Sequence, residues 1–186
     1  ENVALLIDIL DSVIGKFKMT NEGILFTQIT VGDSLPKLEI DITTTLVILG
    51  ALASRDWQPQ HHDKVFAEER NGTRDIFLNT NHNAAMIERY ITDWTGVMGR
   101  LGKIRFSMLT PVFPGDKLRF SGEVVRSHDT QMDFGWVDIA IVMSVDGKPC
   151  SKGVVRVAVP GSKEANPWRI DAEFWNPDFL ALKEAS

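Results

Sequence analysis

The stretch Asn83-Ala84-Ala85-Met86-Ile87-Glu88-Arg89-Tyr90-Ile91-Thr92-Asp93-Trp94 carries the longest helical pattern in the chain. Its apolar residues recur at the i, i+3, i+4 spacing of an α-helix. The residues that keep this spacing are Ala84, Ile87, Tyr90, Ile91 and Trp94. Further apolar residues cover other sides of the helix, and a helix that is apolar around most of its circumference is typically buried. The sequence therefore predicts a long central helix, with Asn81 or Asn83 as its N-cap.

Segments of alternating polarity lie on both sides of this helix. Pro36–Ile42 places Leu38, Ile40 and Ile42 on one face, which predicts a half-buried strand. The strands predicted after the helix are Ile104–Leu109, Lys117–Arg126, Phe134–Val145 and Lys152–Val159. This order favours an α+β domain in which a curved antiparallel sheet wraps around a long central helix, the hot-dog fold. Because such a sheet leaves an edge exposed, we expect the chain to form dimers.

The pattern divides the chain into three parts. Residues 1–31 are predicted to be an N-terminal helical extension, residues 32–160 the domain body and residues 161–186 a C-terminal tail with a short helix at 177–183. Within the body, Thr43–Ser54 is apolar enough to be a short buried helix. Arg55–Val65 contains a proline and several polar residues, so a loop is expected there.

The composition argues against several classes of protein. Twenty Lys and Arg residues stand against 25 Asp and Glu, and this net charge of −5 argues against a nucleic-acid-binding protein, which usually carries a basic patch. Cys150, the one cysteine, cannot form a disulfide within the chain or a cysteine-based zinc site. No apolar run reaches the roughly 18 residues of a membrane span. Residues 3–14 contain two aspartates and lack the basic leader of a signal peptide, so we expect a cytoplasmic protein.

One predicted loop concentrates titratable side chains. In Ser54-Arg55-Asp56-Trp57-Gln58-Pro59-Gln60-His61-His62-Asp63, Asp56 and His61 stand five positions apart with Pro59 between them. Proline fixes its own backbone angle and restricts the preceding residue, so the loop can hold the two side chains in a stable relation. A carboxylate and an imidazole that converge on one water can act as an acid–base pair.

The same residues also allow plainer interpretations. Asp56 can cap a turn, and His61 can be an ordinary core or surface histidine. His61, His62 and Asp63 are potential metal ligands, but adjacent histidines do not easily chelate one ion, and the chain has no His-Glu-x-x-His motif. We therefore predict no metal site, while the acid–base pair, the turn cap and the core histidine stay open.

Two blocks of the chain resemble a known family. Asp56-Trp57-Gln58-Pro59-Gln60-His61 is similar to the Gly-Asp-x-Asn-Pro-x-His signature of the MaoC-like (R)-specific enoyl-CoA hydratases, although Arg55 replaces its glycine and Gln58 its asparagine. The segment 102–116, which ends in a Pro-x-x-Pro-Gly-Asp turn, resembles the strand and turn of the same family. The blocks flank the predicted helix in the family's order, and the resemblance covers about residues 31–160.

A narrower resemblance concerns the region around the helix. Thr73-Arg74-Asp75-Ile76-Phe77-Leu78-Asn79 and Arg89-Tyr90-Ile91-Thr92-Asp93-Trp94 are similar to the small catalytic MaoC-like subunit of bacterial steroid side-chain enoyl-CoA hydratases. Those proteins pair the catalytic subunit with a second hot-dog subunit. The resemblance therefore implies either a homodimer or a hetero-oligomer with a second hot-dog subunit.

The resemblance also implies a reaction, the hydration of a 2-enoyl-CoA thioester to the 3-hydroxyacyl-CoA or the reverse dehydration, on acyl groups as large as a steroid side chain. It assigns the activation of water to Asp56 and His61, and it places the thioester oxygen at the helix N-terminus, where Asn79 occupies the family's glycine position. No metal or cofactor is required, since CoA is part of the substrate. The residues expected to contact CoA or to order the loop are His62, Asp63, Arg74, Lys103 and Arg105.

Two alternatives share the hot-dog fold and the acyl-CoA ligand. A hot-dog thioesterase usually draws its carboxylate from the central helix, where Glu88 is the candidate. The second alternative is a non-catalytic acyl-CoA-binding subunit of a hetero-oligomer. The presence of both Asp56 and His61 argues against a purely structural role.

Overall fold

The computed structural model describes residues 23–178 and 180–181. Three α-helices are described, namely α1 (Thr44–Ala53), α2 (Lys64–Asn71) and α3 (Thr80–Thr95). The strands are β1 (Leu38–Asp41), β2 (Arg100–Met108), β3 (Lys117–Asp129), β4 (Phe134–Val145) and β5 (Lys148–Pro160). Short 3-10 turns lie at Phe26–Gln28, Pro59–His61 and Pro167–Arg169.

The five strands form one antiparallel sheet in the order β1-β3-β4-β5-β2. Strands β4 and β5 form a hairpin, and its turn residues Asp146 and Gly147 both have positive φ angles, 50° and 76°. Two positive φ angles match a turn that follows the right-handed twist of the strands, and Asp-Gly is a residue pair that favours such a turn. The register aligns Met108, Ser151, Met143 and Phe120 in one row across the sheet.

Helix α3 packs against one face of this sheet. Met86, Ile87, Tyr90 and Ile91 are buried among inward-facing residues of the long strands, and the α+β architecture of a sheet on a long helix is confirmed. The expectation of burial around most of the helix is wrong, because Asn81, Ala85, Glu88 and Asp93 form an exposed face. Asn79, not Asn81 or Asn83, is the N-cap.

The segment between β1 and α3 differs from the prediction in two respects. Helix α1 is present, with Thr43 as its N-cap, but Leu49 and Leu52 are exposed, so the helix is only half-buried. Helix α2 occupies most of a region without a predicted element. Its sequence is polar, and it is stabilised by the Asp63 side chain, which accepts a hydrogen bond from Phe66 N at 3.1 Å.

The C-terminal tail packs on the sheet face opposite α3. Trp175 contacts Trp136 on β4 with ring centroids 4.7 Å apart, and the side chain of Arg100 stacks on Trp175 at 3.6 Å. The described part of the helix expected at 177–183 is not helical, and residues 179 and 182–183 lie outside the described residues. The amphipathic helix expected at residues 1–17 also lies outside them.

Candidate active site

The loop after α1 turns sharply before it reaches Asp56. Arg55 has a φ of 55°, in the left-handed region that favours glycine. The amide of Asp56 then donates to Ala51 O at 2.9 Å, which returns the chain against the end of α1. Pro59 begins the 3-10 turn that ends at His61, after an extended Gln58. The local geometry therefore points both side chains into one space.

A backbone carbonyl fixes the orientation and the tautomer of His61. Its Nδ1 lies 2.7 Å from Phe77 O, and because a carbonyl only accepts hydrogen bonds, Nδ1 carries the proton and donates it. The ring also meets the Phe77 ring edge-on, with centroids 5.0 Å apart. In the neutral tautomer that this bond selects, Nε2 is the acceptor.

The carboxylate of Asp56 faces this nitrogen. Asp56 Oδ2 and His61 Nε2 are 3.6 Å apart, and the two side chains are 22% and 7% exposed. Two acceptors cannot bond to each other, but one water can donate a hydrogen to each of them. The pair is thus suited to hold a single water, with the opening to solvent on the side of Asp56.

Asn79 joins this pair to helix α3. Its Nδ2 donates to Asp56 Oδ2 at 3.0 Å and to Ser54 Oγ at 2.7 Å, while its Oδ1 accepts from His82 N at 2.8 Å. Both amide hydrogens of the side chain are therefore in use. The role of Asn79 at the thioester oxygen stays a prediction, and only backbone amides of this helix end are left to fulfil it.

The remaining predicted residues do not all lie near this group, because Lys103 is aligned with Arg156 and lies with Arg105 on the sheet face opposite α3. Asp63 caps α2, and His62 and Arg105 are exposed. Arg74 forms an ion pair with the carboxylate of Asp116, which follows Gly115 in the predicted turn, and Lys103 pairs with Asp178 of the tail. The contacts of these five residues with CoA stay predictions.

Three residues that the sequence did not predict as site residues support the site. Ser54 donates to Gly50 O at 2.8 Å and accepts from Asn79. Asn83 is buried and donates to Asn79 O at 2.9 Å and to the sulfur of Met108 at 3.6 Å. The Phe77 carbonyl carries no signal in the sequence, because any residue type supplies one. For Ser54 and Asn83, the sequence holds only a weak signal, namely polar side chains near a helix end that can bond to the backbone.

A pocket of about 140 Å³ adjoins the site. Its lining residues are Phe77, Leu78, Met108, Leu109, Thr110 and Pro111. Met108 and Leu109 are about half exposed, so this wall of the pocket is apolar and open on one side. The pocket can receive a small apolar group beside the water position.

Among residues 23–178 and 180–181, no group of three or more His, Cys, Asp or Glu side chains is arranged to hold a metal ion. In the same part of the chain, no helix has the length and apolar character needed to cross a membrane.

Comparisons with known proteins identify the family of the chain. Residues 27–138 match the model of the MaoC like domain. The chain is 36% identical over 99 residues to the 3-oxo-4,17-pregnadiene-20-carboxyl-CoA hydratase beta subunit of Mycobacterium tuberculosis, an alignment that covers 53% of this chain and 76% of the relative.

Solved structures confirm the hot-dog fold. A chain of the ChsH1–ChsH2 complex from Mycobacterium tuberculosis matches with a TM-score of 0.65 and 28% identity, covering 70% of this chain and 98% of the other. The (R)-hydratase PhaJ1 from Pseudomonas aeruginosa matches with a TM-score of 0.65 and 19% identity, covering 75% and 88%, and shows the fold alone. The matched domain spans both the Asp56–His61 loop and helix α3, and the chain belongs to the MaoC-like family.

Proposed function

We propose that this chain hydrates the C2–C3 double bond of a 2-enoyl-CoA thioester, or catalyses the reverse dehydration, with Asp56 and His61 holding the water. The observation that carries the proposal is the 3.6 Å separation of Asp56 Oδ2 and His61 Nε2, two acceptors that face one space. The hydrogen bond from His61 Nδ1 to Phe77 O supports it, because this bond leaves Nε2 free to take a proton.

The proposed addition is balanced in atoms and protons. The water oxygen forms a bond to C3 while Nε2 of His61 takes one of its hydrogens. The C2–C3 π electrons move to the thioester as an enolate, and the Asp56–His61 pair then returns one proton to C2. The enzyme ends in its starting protonation state, and the product carries hydroxyl at C3 and hydrogen at C2. Acid–base assistance of this kind contributes about 10²–10⁴-fold to the rate.

The N-terminus of α3 supports the enolate. The amides of Thr80 and Asn81 precede Asn83 N, the first amide that donates to a carbonyl within the helix, and they lie beside the Asn79 cap at the positive end of the helix dipole. A donor aimed at a developing oxyanion is typically worth about 10²–10³-fold in rate. No cofactor enters the proposed reaction, and CoA is part of the substrate.

The size of the pocket bears on the acyl group and on the partner. A pocket of about 140 Å³ holds a short acyl chain, whereas sites for drug-sized ligands are about 300–1,000 Å³. The beta-subunit relative is named for a steroid-derived CoA thioester, and the ChsH1–ChsH2 match is a complex of two proteins. We therefore propose that a second hot-dog subunit completes the wall beside Met108 and Leu109 for large acyl groups.

The thioesterase alternative has less support. Glu88 lies on the exposed face of α3, and its nine-residue separation from Asn79 corresponds to about 14 Å along the helix. It is therefore remote from the Asp56–His61 pair. We expect no release of free CoA from a saturated acyl-CoA.

The test is a hydration assay that follows the loss of absorbance of the conjugated enoyl thioester. The substrates run from crotonyl-CoA to a steroid-ring enoyl-CoA, with the chain alone and with a candidate second subunit. We expect Asp56→Asn and His61→Asn each to lower kcat/KM by about 10²–10⁴-fold. Undiminished activity in both variants contradicts the proposal.

His128→Asn and Asp129→Asn are matched controls. His128 lies on β3 in the row that contains Arg100, Ala158 and Trp136, and Asp129 lies one position beyond it. This row is eight positions along β2 from Met108 at the site. That separation is about 26 Å. The same chemical changes at this end of the sheet are expected to leave kcat/KM within about twofold of wild type, since they touch neither the water nor the substrate.

A further inference from the structure

We propose that Asn79 is a positioning residue that holds the Asp56 carboxylate towards His61. This inference rests on the proposed role of Asp56 in hydration. It assigns the Asn79 side chain to the carboxylate rather than to the thioester oxygen, so it differs from the role that the family resemblance implies.

The hydrogen bonds of Asn79 carry the inference. The side chain is 2% exposed, and each of its polar hydrogens and its oxygen has a partner among Asp56, Ser54 and His82 N. A fully satisfied buried amide has one preferred orientation, because rotation would leave several buried groups unpaired. The amide therefore fixes the position of Asp56 Oδ2 relative to both helices.

Asp56 has little else to hold it. Its other oxygen accepts from Gln58 N at 3.4 Å, near the limit of a hydrogen bond, and its backbone follows the left-handed Arg55. Oδ2 uses one acceptor site for Asn79 and keeps another for the water shared with His61. Without the amide, the carboxylate can rotate away from the 3.6 Å relation that the water requires.

Capping alone does not require asparagine at this position. Asn, Asp and Ser cap helices about equally well through an oxygen that accepts from the first turn. Only the amide also supplies the hydrogens that Asp56 and Ser54 accept. Asn83 adds support from the next turn, since its amide donates to Asn79 O at 2.9 Å and holds the backbone of the cap.

The first experiment separates positioning from capping. Asn79→Ser keeps the cap oxygen and removes the donor to Asp56, so we expect kcat to fall about 10–100-fold while KM stays within about threefold. Asn166→Ser is the matched control, because Asn166 caps the 3-10 turn at Pro167 with the same type of bond, to Trp168 N at 3.0 Å. The control is expected to keep the wild-type kcat. A wild-type kcat in Asn79→Ser overturns the proposal.

The second experiment needs no substrate. Asn79→Asp keeps the cap but brings a second carboxylate to 3.0 Å from Asp56 Oδ2, and we expect it to lower Tm by about 2–4 °C. In the Asp56→Asn background, Asn79→Asp only exchanges the positions of the amide and the carboxylate. Because the pair still has one amide and one carboxylate, this substitution is expected to leave Tm unaltered. An equal loss of Tm in both backgrounds overturns the proposal. This cycle remains informative if the wild-type chain does not hydrate enoyl-CoA, so the failure of the proposed function is distinguishable from the failure of this inference.

Discussion

The buried ion pair between Asp138 and Arg156 fastens the C-terminal tail to the sheet, and Asp138→Asn tests how far the fold depends on it. Arg156 is 0% and Asp138 1% exposed. The guanidinium donates to the two carboxylate oxygens at 2.6 and 2.7 Å. Its third nitrogen donates to Pro177 O at 2.8 Å and to Leu180 O at 2.7 Å. Asp138→Asn leaves this guanidinium charged and buried next to a neutral amide.

The expected loss follows from the burial of both groups. Removing one partner of a buried pair costs about 3–5 kcal/mol, because the other charge stays buried without compensation. Each kcal/mol lowers the Tm of a protein of this size by about 2–4 °C, so a fall of about 6–20 °C is expected. Asp138→Leu combined with Arg156→Met removes both charges and is expected to recover much of that loss.

Thermal unfolding followed by circular dichroism measures these differences. Glu39→Gln is the matched control, since Glu39 pairs with Arg119 at 2.6 Å but both side chains are about half exposed. An exposed pair contributes about 0–1 kcal/mol, so this variant should change Tm by no more than about 4 °C. An Asp138→Asn variant that loses no more than Glu39→Gln refutes the reasoning that the buried pair anchors the tail.

Three smaller predictions concern single residues. Arg55→Gly is expected to raise the free energy of unfolding in urea by about 0.5–1 kcal/mol, because glycine tolerates the φ of 55°; a decrease contradicts this. Burial lowers the pKa of His82, so the folded state binds fewer protons there and the free energy of unfolding should fall as the pH drops below about 6.5. Urea unfolding at several pH values should show a weaker fall in His82→Gln than in wild type. An identical fall contradicts the prediction. Burial raises the pKa of the Cys150 thiol, so a thiol reagent should modify native protein far more slowly than urea-unfolded protein, and equal rates contradict it.

The sequence was sufficient for the elements with strong periodicity. The strands and α3 follow from their patterns because each buries one apolar face, and the observed bounds differ from the predicted ones mainly at the ends. Helix α2 was missed because its sequence is mostly polar. It is held by the Asp63 cap, the left-handed Gly72 and the burial of Ala67, and these contacts exist only in the folded chain.

The sequence indicated Asp56 and His61 as site residues, but it did not indicate the hydrogen bonds that hold them in place. Asp56 and His61 share one loop, so their proximity follows from short-range geometry. The contact from Asn79 to Asp56 crosses 23 positions, and the bond from His61 to Phe77 O crosses 16 and uses a backbone atom. Likewise, the alternation of β5 places Arg156 on the outer face, where a sequence pattern predicts exposure, and the docked tail buries it.

The central claim is that Asp56 and His61 act together on one water, and the most direct test is the kcat/KM of crotonyl-CoA hydration in Asp56→Asn, His61→Asn and the double variant. Groups that act as a unit are strongly non-additive, so the double variant is expected to be no slower than the slower single variant. If the two losses multiply in the double variant, or if either single variant keeps wild-type activity, the two residues do not share one water and the account is contradicted.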